Sequence, residues 1–290
     1  MSASIYEEIT NGIIKSLESG VAPWVKPWST MPGEGIPVNA HTNRPYSGVN
    51  VLQLWYAALD KGYDIPQWLT FKQAKERGGQ VRKGEHGTKV LFWKINDKEV
   101  DGKTEKRFIA RSYTVFNVAQ VDGIEIVRPK VERYEWESRK YITDLVTSHG
   151  IDLRHGGSSA FFRPDMDYIG MPDKDRFPDV SGYYATLLHE MTHWTGHKSR
   201  LDRKMRGTFG SPDYAKEELV AELGAAFLCA RLGIDGQLQH DSYIKSWLQV
   251  LKDDKRAVFV ASKLAEQAAD YIMEKSKEEK GDDTQRMVAA

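Results

Sequence analysis

The chain has 290 residues, of which 40% are hydrophobic and 28% are charged, with equal numbers of acidic and basic side chains. This composition is typical of a globular protein, and no apolar run reaches the roughly 18 residues that a membrane helix needs. The amino terminus lacks the basic and apolar segments of a secretory signal, so we expect a cytoplasmic protein without membrane contact. The single cysteine, Cys229, excludes an internal disulfide.

The first half of the chain is predicted to mix helices and strands. Its first apolar residues, Ile5, Ile9, Ile13 and Leu17, are spaced four apart before Gly20, which predicts an amphipathic helix that ends at the glycine. A segment rich in proline and tryptophan, a second helix, and a short strand entering a third helix follow in order. The alternating segments "QVRKGEHGTKVLFWKI" and "RFIARSYTVFNVAQVDG" then predict two strands joined by a charged turn.

A domain boundary is predicted where the strand pattern ends, near Pro129. The length suffices for two compact domains, so we predict one domain over residues 1–130 and a second over residues 131–290. The second half is predicted to begin with a helix at about Ser138–Ser148, to continue with short strands in "DLRHGGSSAFFRPDMDYIGMP", and to end in helices. The predicted fold class is therefore α+β, in two domains.

The segment "ATLLHEMTHWTGH" places His189 and His193 four residues apart on a predicted helix. Residues at this spacing lie on one helical face, so both imidazoles can face one metal ion. Glu190 lies beside that face, where its carboxylate can hold and deprotonate a water molecule without binding the metal. This H-E-x-x-H pattern is the zincin signature, and zinc in such a site activates water at neutral pH. The sequence predicts a catalytic zinc site, with manganese as the alternative metal.

A catalytic zinc ion usually takes a third protein ligand. Metzincins supply a histidine three residues after the glycine that Gly196 matches, but position 199 is serine here. Glu218 and Glu222 lie one turn apart on a later predicted helix, among apolar residues, where a carboxylate needs a partner. Their spacing resembles the E-x-x-x-D element of gluzincins. We predict that Glu218 binds the metal and that Glu222 orients a ligand histidine; the reverse assignment stays open, because both share one face.

The segment "SSAFFRPDMDYIGMP" shortly precedes the predicted metal helix. In zincins the edge strand of the small sheet lies above the metal and receives an extended peptide by strand addition. This segment is the candidate for that strand, and a strand that only supports the core is an equally good interpretation.

Between Lys61 and Lys94 the chain carries eight basic and three acidic residues, interleaved with aromatic ones. Cations neutralise phosphates and aromatic faces stack bases in proteins that bind single-stranded nucleic acids without sequence preference. The pattern predicts such a surface, although any single aromatic residue fits a core position at least as well. The predicted contact residues are Lys72, Lys75, Arg77, Arg82, Lys83, Lys89, Trp68 and Trp93.

The order of "APWVKPW", "NRPYSGVNVLQLW", "WLTFKQAKERGGQVRKGEHG", "HEMTHWTGH" and "EELVAELGAAFL" resembles the ArdC-type antirestriction proteins of conjugative plasmids. The resemblance covers nearly the whole chain. It implies an amino-terminal domain similar to part of the TraC plasmid primases, which binds single-stranded DNA without sequence specificity, and a carboxy-terminal zincin-like metallopeptidase domain. It further implies protection of incoming plasmid DNA from type I restriction, with a restriction component as the candidate protein target.

Two other functions fit the same residues. One is a soluble zinc metallopeptidase that cleaves a peptide or protein, with the first half as an accessory domain. The other is a non-enzymatic DNA-binding protein that is stabilised by its metal. Glu190 argues against a purely structural metal, because a closed site has no use for a carboxylate next to an open coordination position.

Overall fold

The computed structural model describes the backbone of residues 5–24, 35–100, 103–126, 135–205, 211–234 and 241–288. It describes the side chains over the same ranges except at residues 5, 93–100, 103–110, 135–138, 241–242 and 275–288. The predicted contact residue Trp93 therefore has its backbone, and not its side chain, within the described part.

Within these ranges the chain forms eight α-helices, two short 3-10 helices and nine strands. The helices are α1 (Ile5–Glu18), α2 (Val49–Lys61), α3 (Phe71–Glu76), α4 (Glu135–Ser148), α5 (Val180–Thr195), α6 (Pro212–Leu232), α7 (Asp241–Asp253) and α8 (Ala257–Val288). The strands are β1 (Val38–Asn39), β2 (Gln67–Thr70), β3 (Gln80–Val81), β4 (Thr88–Val100), β5 (Lys103–Asn117), β6 (Val121–Asp122), β7 (Asp152–His155), β8 (Phe161–Arg163) and β9 (Tyr168–Met171). The predicted mixture of helices and strands is confirmed.

The amino-terminal sheet has the strand order β1-β2-β5-β4. Strand β1 runs parallel to β2, whereas β2 and β4 both run antiparallel to β5. The two long strands were expected, but the ladder continues until Val100 pairs with Lys103, so most of the predicted charged turn is strand. Ladder pairing has outweighed the weak strand propensity of charged residues.

The carboxy-terminal sheet is small, with the order β7-β9-β8. Strand β7 pairs with β9 in parallel and β8 pairs with β9 in antiparallel fashion, which leaves β8 at an edge. The two helices behind this sheet start at side-chain caps: Asp179 accepts a hydrogen bond from the Gly182 amide at α5, and Ser211 accepts one from the Tyr214 amide at α6. Such caps satisfy amides that the first helical turn leaves unpaired.

Helices α5 and α6 approach each other closely at Gly224. A Cβ atom at this position would lie 2.5 Å from Cγ2 of Thr192 on α5, which is too close for any real side chain. The glycine therefore allows the two helices to pack with almost no side-chain layer between them at this point. The same two helices carry the predicted metal site.

One continuous hydrophobic core connects the two predicted domains. Helix α1 packs against α7, and α2 packs against α8, while the rings of Trp55 and Phe227 have centroids 5.8 Å apart. The hydroxyl of Thr10 donates a 2.7 Å hydrogen bond to the carbonyl of Lys255. The boundary near residue 130 remains a prediction, and across it the two halves share their core. None of the described helices is long and apolar enough to cross a membrane.

Candidate metal centre

The predicted metal residues meet between α5 and α6. Nε2 of His189 lies 3.6 Å from Oε2 of Glu218, and Nε2 of His193 lies 3.5 Å from Oε1 of the same carboxylate. The two imidazole centroids are 4.9 Å apart. One potential ligand atom from each of the three residues lies within 4.8 Å of the others. Two imidazoles and one carboxylate at this spacing form the donor set of a zincin site, so the residues fit a divalent metal.

The other nitrogen of each imidazole faces a second carboxylate. Nδ1 of His189 lies 3.6 Å from Oε2 of Glu222, and Nδ1 of His193 forms a 3.3 Å hydrogen bond with Oε1 of Glu217. Carboxylates in this position fix the ring orientation and tautomer of metal-binding histidines. This geometry fits Glu218 as the ligand and Glu222 as the orienting residue, which both remain predictions.

Sequence reasoning missed Glu217 and its partner Arg203. The side chain of Arg203 is 4% exposed and donates hydrogen bonds to both carboxylate oxygens of Glu217, at 2.8 and 3.2 Å. It also donates to the carbonyl of Thr192 and to the hydroxyl of Thr195, each at 2.7 Å. The rule that each ligand histidine needs an outer partner could have indicated Glu217. Arg203 gave no signal, because it lies in an irregular segment.

The electrostatics of the cluster favour a bound cation. Burial lowers the pKa of His189, but the nearby carboxylates of Glu218 and Glu222 outweigh it and raise this pKa above its ordinary value. Burial likewise opposes charge on Glu218, yet its two histidine partners hold the pKa of this carboxylate well below the usual range. Without a metal, protons on the imidazoles balance the buried carboxylates. A divalent cation supplies the same balance and displaces those protons.

Glu190 lies beside the ligands and is 7% exposed. Burial raises the pKa of its carboxyl group, and the neighbouring His189 and His193 offset only part of this rise. The backbone of Phe162 in the edge strand β8 is close enough to lower the pKa of the same carboxyl group slightly. A buried carboxylate with a raised pKa is a stronger base than an exposed one. The predicted proton acceptor thus lies between the metal ligands and the edge of the small sheet.

Two tyrosine side chains stand on the other side of the cluster. The hydroxyls of Tyr214 and Tyr243 are 3.2 Å apart, and the Glu218 carboxylate lies near Tyr214. Burial and these acidic and phenolic neighbours raise the pKa of the Tyr214 hydroxyl, so it stays a hydrogen-bond donor. Sequence reasoning did not single out either residue.

The residues predicted to contact nucleic acid differ in their exposure and in their contacts within the fold. Trp68 is 0% exposed and packs edge to face against Tyr63, so its assignment as a stacking residue is wrong: the sheet buries its ring. The guanidinium of Arg77 donates to the carbonyls of Ala40 and Glu125, which gives it a role within the fold.

The remaining basic residues of that group lie at the surface. Arg82 forms ion pairs with Glu85 and Asp122, and Lys89 forms one with Glu8, at 2.7 Å. Three further lysines of the group are exposed, namely Lys72, Lys75 and Lys83. Exposed residues are accessible to a nucleic acid, so the contact role of these lysines stays a prediction.

Exposed aromatic rings lie elsewhere in the amino-terminal half. Phe92 is 48% exposed and Tyr113 is 44% exposed, and their ring centroids are 5.5 Å apart. Phe71, at the start of α3, is 44% exposed with the ammonium of Lys75 5.2 Å from its centroid. Alternation of apolar and polar residues could have suggested exposure on one face, but it could not tell which aromatic residues the core takes up.

Comparison with known proteins assigns the chain to a family. A family model described as the N-terminal domain of the anti-restriction factor ArdC matches residues 3–116, and one described as a zincin-like metallopeptidase matches residues 140–264. The protein y4eC of Sinorhizobium fredii (strain NBRC 101917 / NGR234) is 42% identical over 285 residues, which cover 92% of this chain and 91% of that protein. The chain belongs to the ArdC-type antirestriction proteins.

Two crystal structures of the antirestriction protein ArdC from plasmid R388 have the same fold. The metal-free structure has a TM-score of 0.81 and 40% identity, and the match covers 95% of this chain and 99% of that one. The Mn(II)-bound structure has a TM-score of 0.78 and 41% identity, with 94% and 98% coverage. With the zincin-like match, this relative supports a divalent metal site in the ArdC-type chain, with His189, His193 and Glu218 as candidate ligands.

The family also includes parts of larger proteins. The DNA primase TraC of Escherichia coli is 39% identical over 292 residues, which cover 92% of this chain. The matched part makes up 27% of that primase, and 20% of a second Escherichia coli TraC that is 37% identical. The shared part therefore combines the amino-terminal region and the metal site as one unit.

Proposed function

We propose that the chain is an antirestriction protein that binds single-stranded DNA with its amino-terminal half and acts on a restriction component with its metal site. It would work in the cytoplasm of a cell that receives plasmid DNA. The observation that carries the proposal is the cluster of His189, His193 and Glu218 beside the buried Glu190, in a chain of the ArdC type.

We place the DNA contacts on the sheet face that exposes Phe92 and Tyr113, and on helix α3, which exposes Phe71. Exposed rings provide stacking faces for unpaired bases, while Lys72 and Lys75 on α3 supply charge for phosphates. This choice differs from the sequence-based one in its aromatic residues, because the fold buries Trp68. Duplex DNA would bind less well, since its bases are stacked on each other.

The edge strand β8 supports a peptide substrate for the metal site. Among the described strands β8 pairs with β9 alone, so its other edge can add an extended peptide by backbone hydrogen bonds. The backbone of Phe162 in this strand lies near Glu190, so a peptide bound along β8 would lie beside the proton acceptor. The metal, when bound, would polarise the peptide carbonyl and activate water.

A plasmid-entry assay tests both halves of the proposal. Restriction of an incoming unmodified plasmid is measured with the wild-type protein, with Glu190→Gln, and with the double variant Phe92→Leu/Tyr113→Leu. Leucine keeps apolar volume at both positions but removes the stacking faces. We expect protection to fall in both variants, with the metal content unchanged and with single-stranded DNA affinity lowered in the second variant alone.

The outcomes separate the competing functions. Full protection by Glu190→Gln would exclude hydrolysis and leave a DNA-binding protein whose metal is structural. Normal DNA binding by the double variant would overturn the proposed face. If the wild-type protein gives no protection but cleaves a peptide library with metal dependence, the chain is a peptidase with an accessory domain.

A further inference from the structure

The side chain of Trp24 reaches the metal centre from the other half of the chain. It is 1% exposed, and its indole N–H donates a buried 3.2 Å hydrogen bond to Oε1 of Glu222, 198 residues further along. Trp24 is the last residue described before the stretch 25–34 and belongs to the tryptophan- and proline-rich segment that follows α1. It therefore belongs to the region that the ArdC amino-terminal family model matches.

The Glu222 carboxylate uses its two oxygens in different directions. Oε1 accepts the Trp24 hydrogen bond, while Oε2 lies 3.6 Å from Nδ1 of His189. Glu222 is 0% exposed, so no bulk water competes for these oxygens. A glutamate side chain can rotate about its terminal bond, and a donor on one oxygen fixes the plane in which the other lies.

The two ligand histidines are thus supported from different parts of the chain. His193 is held by Glu217, whose own partner Arg203 is 14 residues away in sequence. The support of His189 passes through Glu222 to Trp24 in the amino-terminal half. Loss of the Trp24 contact should disturb one ligand and leave the other in place.

A second route leads from Trp24 to the same cluster. Its ring meets Trp247 edge to face at 5.8 Å, and Trp247 stacks on Tyr243 at 6.0 Å. The Tyr243 hydroxyl lies 3.2 Å from that of Tyr214 on α6. Trp24 therefore packs at the start of an aromatic row that ends beside the predicted ligand Glu218.

We propose that Trp24 is a positioning residue for the metal site: its N–H orients Glu222, and through Glu222 it orients His189. Metal affinity then depends on the contact that Trp24 makes from the amino-terminal half. By linkage, metal binding stabilises the Trp24–Glu222 contact to the same extent. The proposal concerns metal binding alone, so it does not depend on peptidase activity or on antirestriction.

The test uses the full-length protein and Co²⁺, with Zn²⁺ in competition. Trp24→Phe removes the N–H and keeps an aromatic ring. Loss of the residue that orients a ligand histidine typically lowers metal affinity by about 10- to 100-fold. Trp24 is one hydrogen bond further from the metal than such a residue, so we expect its loss to lower the affinity by about 3- to 10-fold. The visible absorption bands of bound Co²⁺ should shift as well, because the orientation of one imidazole changes.

Trp55→Phe is the matched control. Trp55 is 0% exposed and also donates a buried hydrogen bond, at 2.8 Å, but its acceptor is the backbone carbonyl of Gly35. Thermal unfolding of the metal-free variants shows how far each substitution destabilises the fold. We expect both variants to lose stability and only Trp24→Phe to lose metal affinity. Equal metal affinity in the two variants would overturn the proposal.

A double-mutant cycle with Glu222→Gln tests the route. If Trp24 acts through the Glu222 carboxylate, its effect on metal affinity should shrink once that charge is removed. An undiminished effect in the Glu222→Gln background would assign the loss to packing and refute the positioning role. Should Trp24→Phe fail to fold, replacing Trp24 with β-(3-benzothienyl)alanine exchanges the N–H for sulfur while keeping both rings, and the same two comparisons apply.

Discussion

The metal centre and the proposed DNA face use the same residue types in opposite ways. At the metal centre, charged side chains are buried and form specific pairs, as Arg203 does with Glu217. On the amino-terminal surface, charged side chains are exposed and their ion pairs are solvated, as between Lys72 and Glu76. Removing one member of a buried ion pair strongly destabilises the fold, because the other charge stays buried without its partner. Removing one member of an exposed pair changes the stability little, because water solvates the charge that remains. The four predictions that follow test this contrast, beginning with the largest effect.

Loss of a ligand should abolish metal binding. We expect His193→Ala to lose tight binding of Zn²⁺, because its Nε2 is one of the three clustered ligand atoms. Glu190→Gln should keep about one metal ion per chain, since Glu190 is assigned to proton transfer. Metal analysis of the purified proteins measures both. Undiminished metal in His193→Ala would refute the ligand assignment.

Removal of the buried arginine should destabilise the fold. We expect Arg203→Met to lower the free energy of unfolding by about 3 to 5 kcal/mol, because Glu217 stays buried with its main charge partner gone. Urea denaturation of the metal-free proteins measures the change. Arg82→Met is the comparison, since it removes two ion pairs at an exposed position, and there we expect no measurable change. Similar losses of unfolding free energy in both variants would contradict the contrast between the metal centre and the amino-terminal surface.

The two glutamates on α6 should differ in their effect on the metal. Glu218→Ala should abolish tight binding of the metal. Glu222→Gln should weaken it by about 10- to 100-fold, because Glu222 lies at the outer nitrogen of His189. Isothermal titration with Zn²⁺ resolves these ranges. Equal and mild losses from both variants would mean that the third ligand lies elsewhere.

The smallest effect is expected on the DNA face. Replacing both Lys72 and Lys75 with glutamine should flatten the dependence of log affinity on log salt for single-stranded DNA by up to about 1.4, at about 0.7 per phosphate contact. Lys140→Gln on α4 is the control, because it also removes an exposed lysine with an i,i+4 acidic partner. Fluorescence anisotropy across a salt series gives the slopes. A flattening with Lys140→Gln as well would point to diffuse attraction over the whole surface.

The contrast also explains which parts were readable from the sequence. His189, Glu190 and His193 follow from spacing within one helix, and Glu218 follows from an acid among apolar residues. Such local patterns predict the folded arrangement well, because helix geometry fixes which side chains share a face.

Other contacts could not be read in the same way. Trp24 contacts Glu222 across 198 residues, and no local pattern encodes such a pairing. Trp68 was wrongly assigned as a stacking residue, because the fold buries its ring. The local sequence does not show which tryptophans the core takes up. The predicted α+β class was confirmed, whereas the hydrophobic cluster that both halves share was not foreseen.

The packing of α1 against α7 has a consequence for synthesis on the ribosome. Helix α1 ends at Glu18, and the helix that covers it ends at Asp253. At about 5 to 20 residues per second, roughly 10 to 50 s separate the translation of these two points. Helix α2 also packs on α1 and is made early, but the part of α1 that α7 covers has no native partner during that interval. We therefore expect the nascent chain to need a chaperone or a temporary partner there. Folding then completes as one event near the end of translation, rather than half by half.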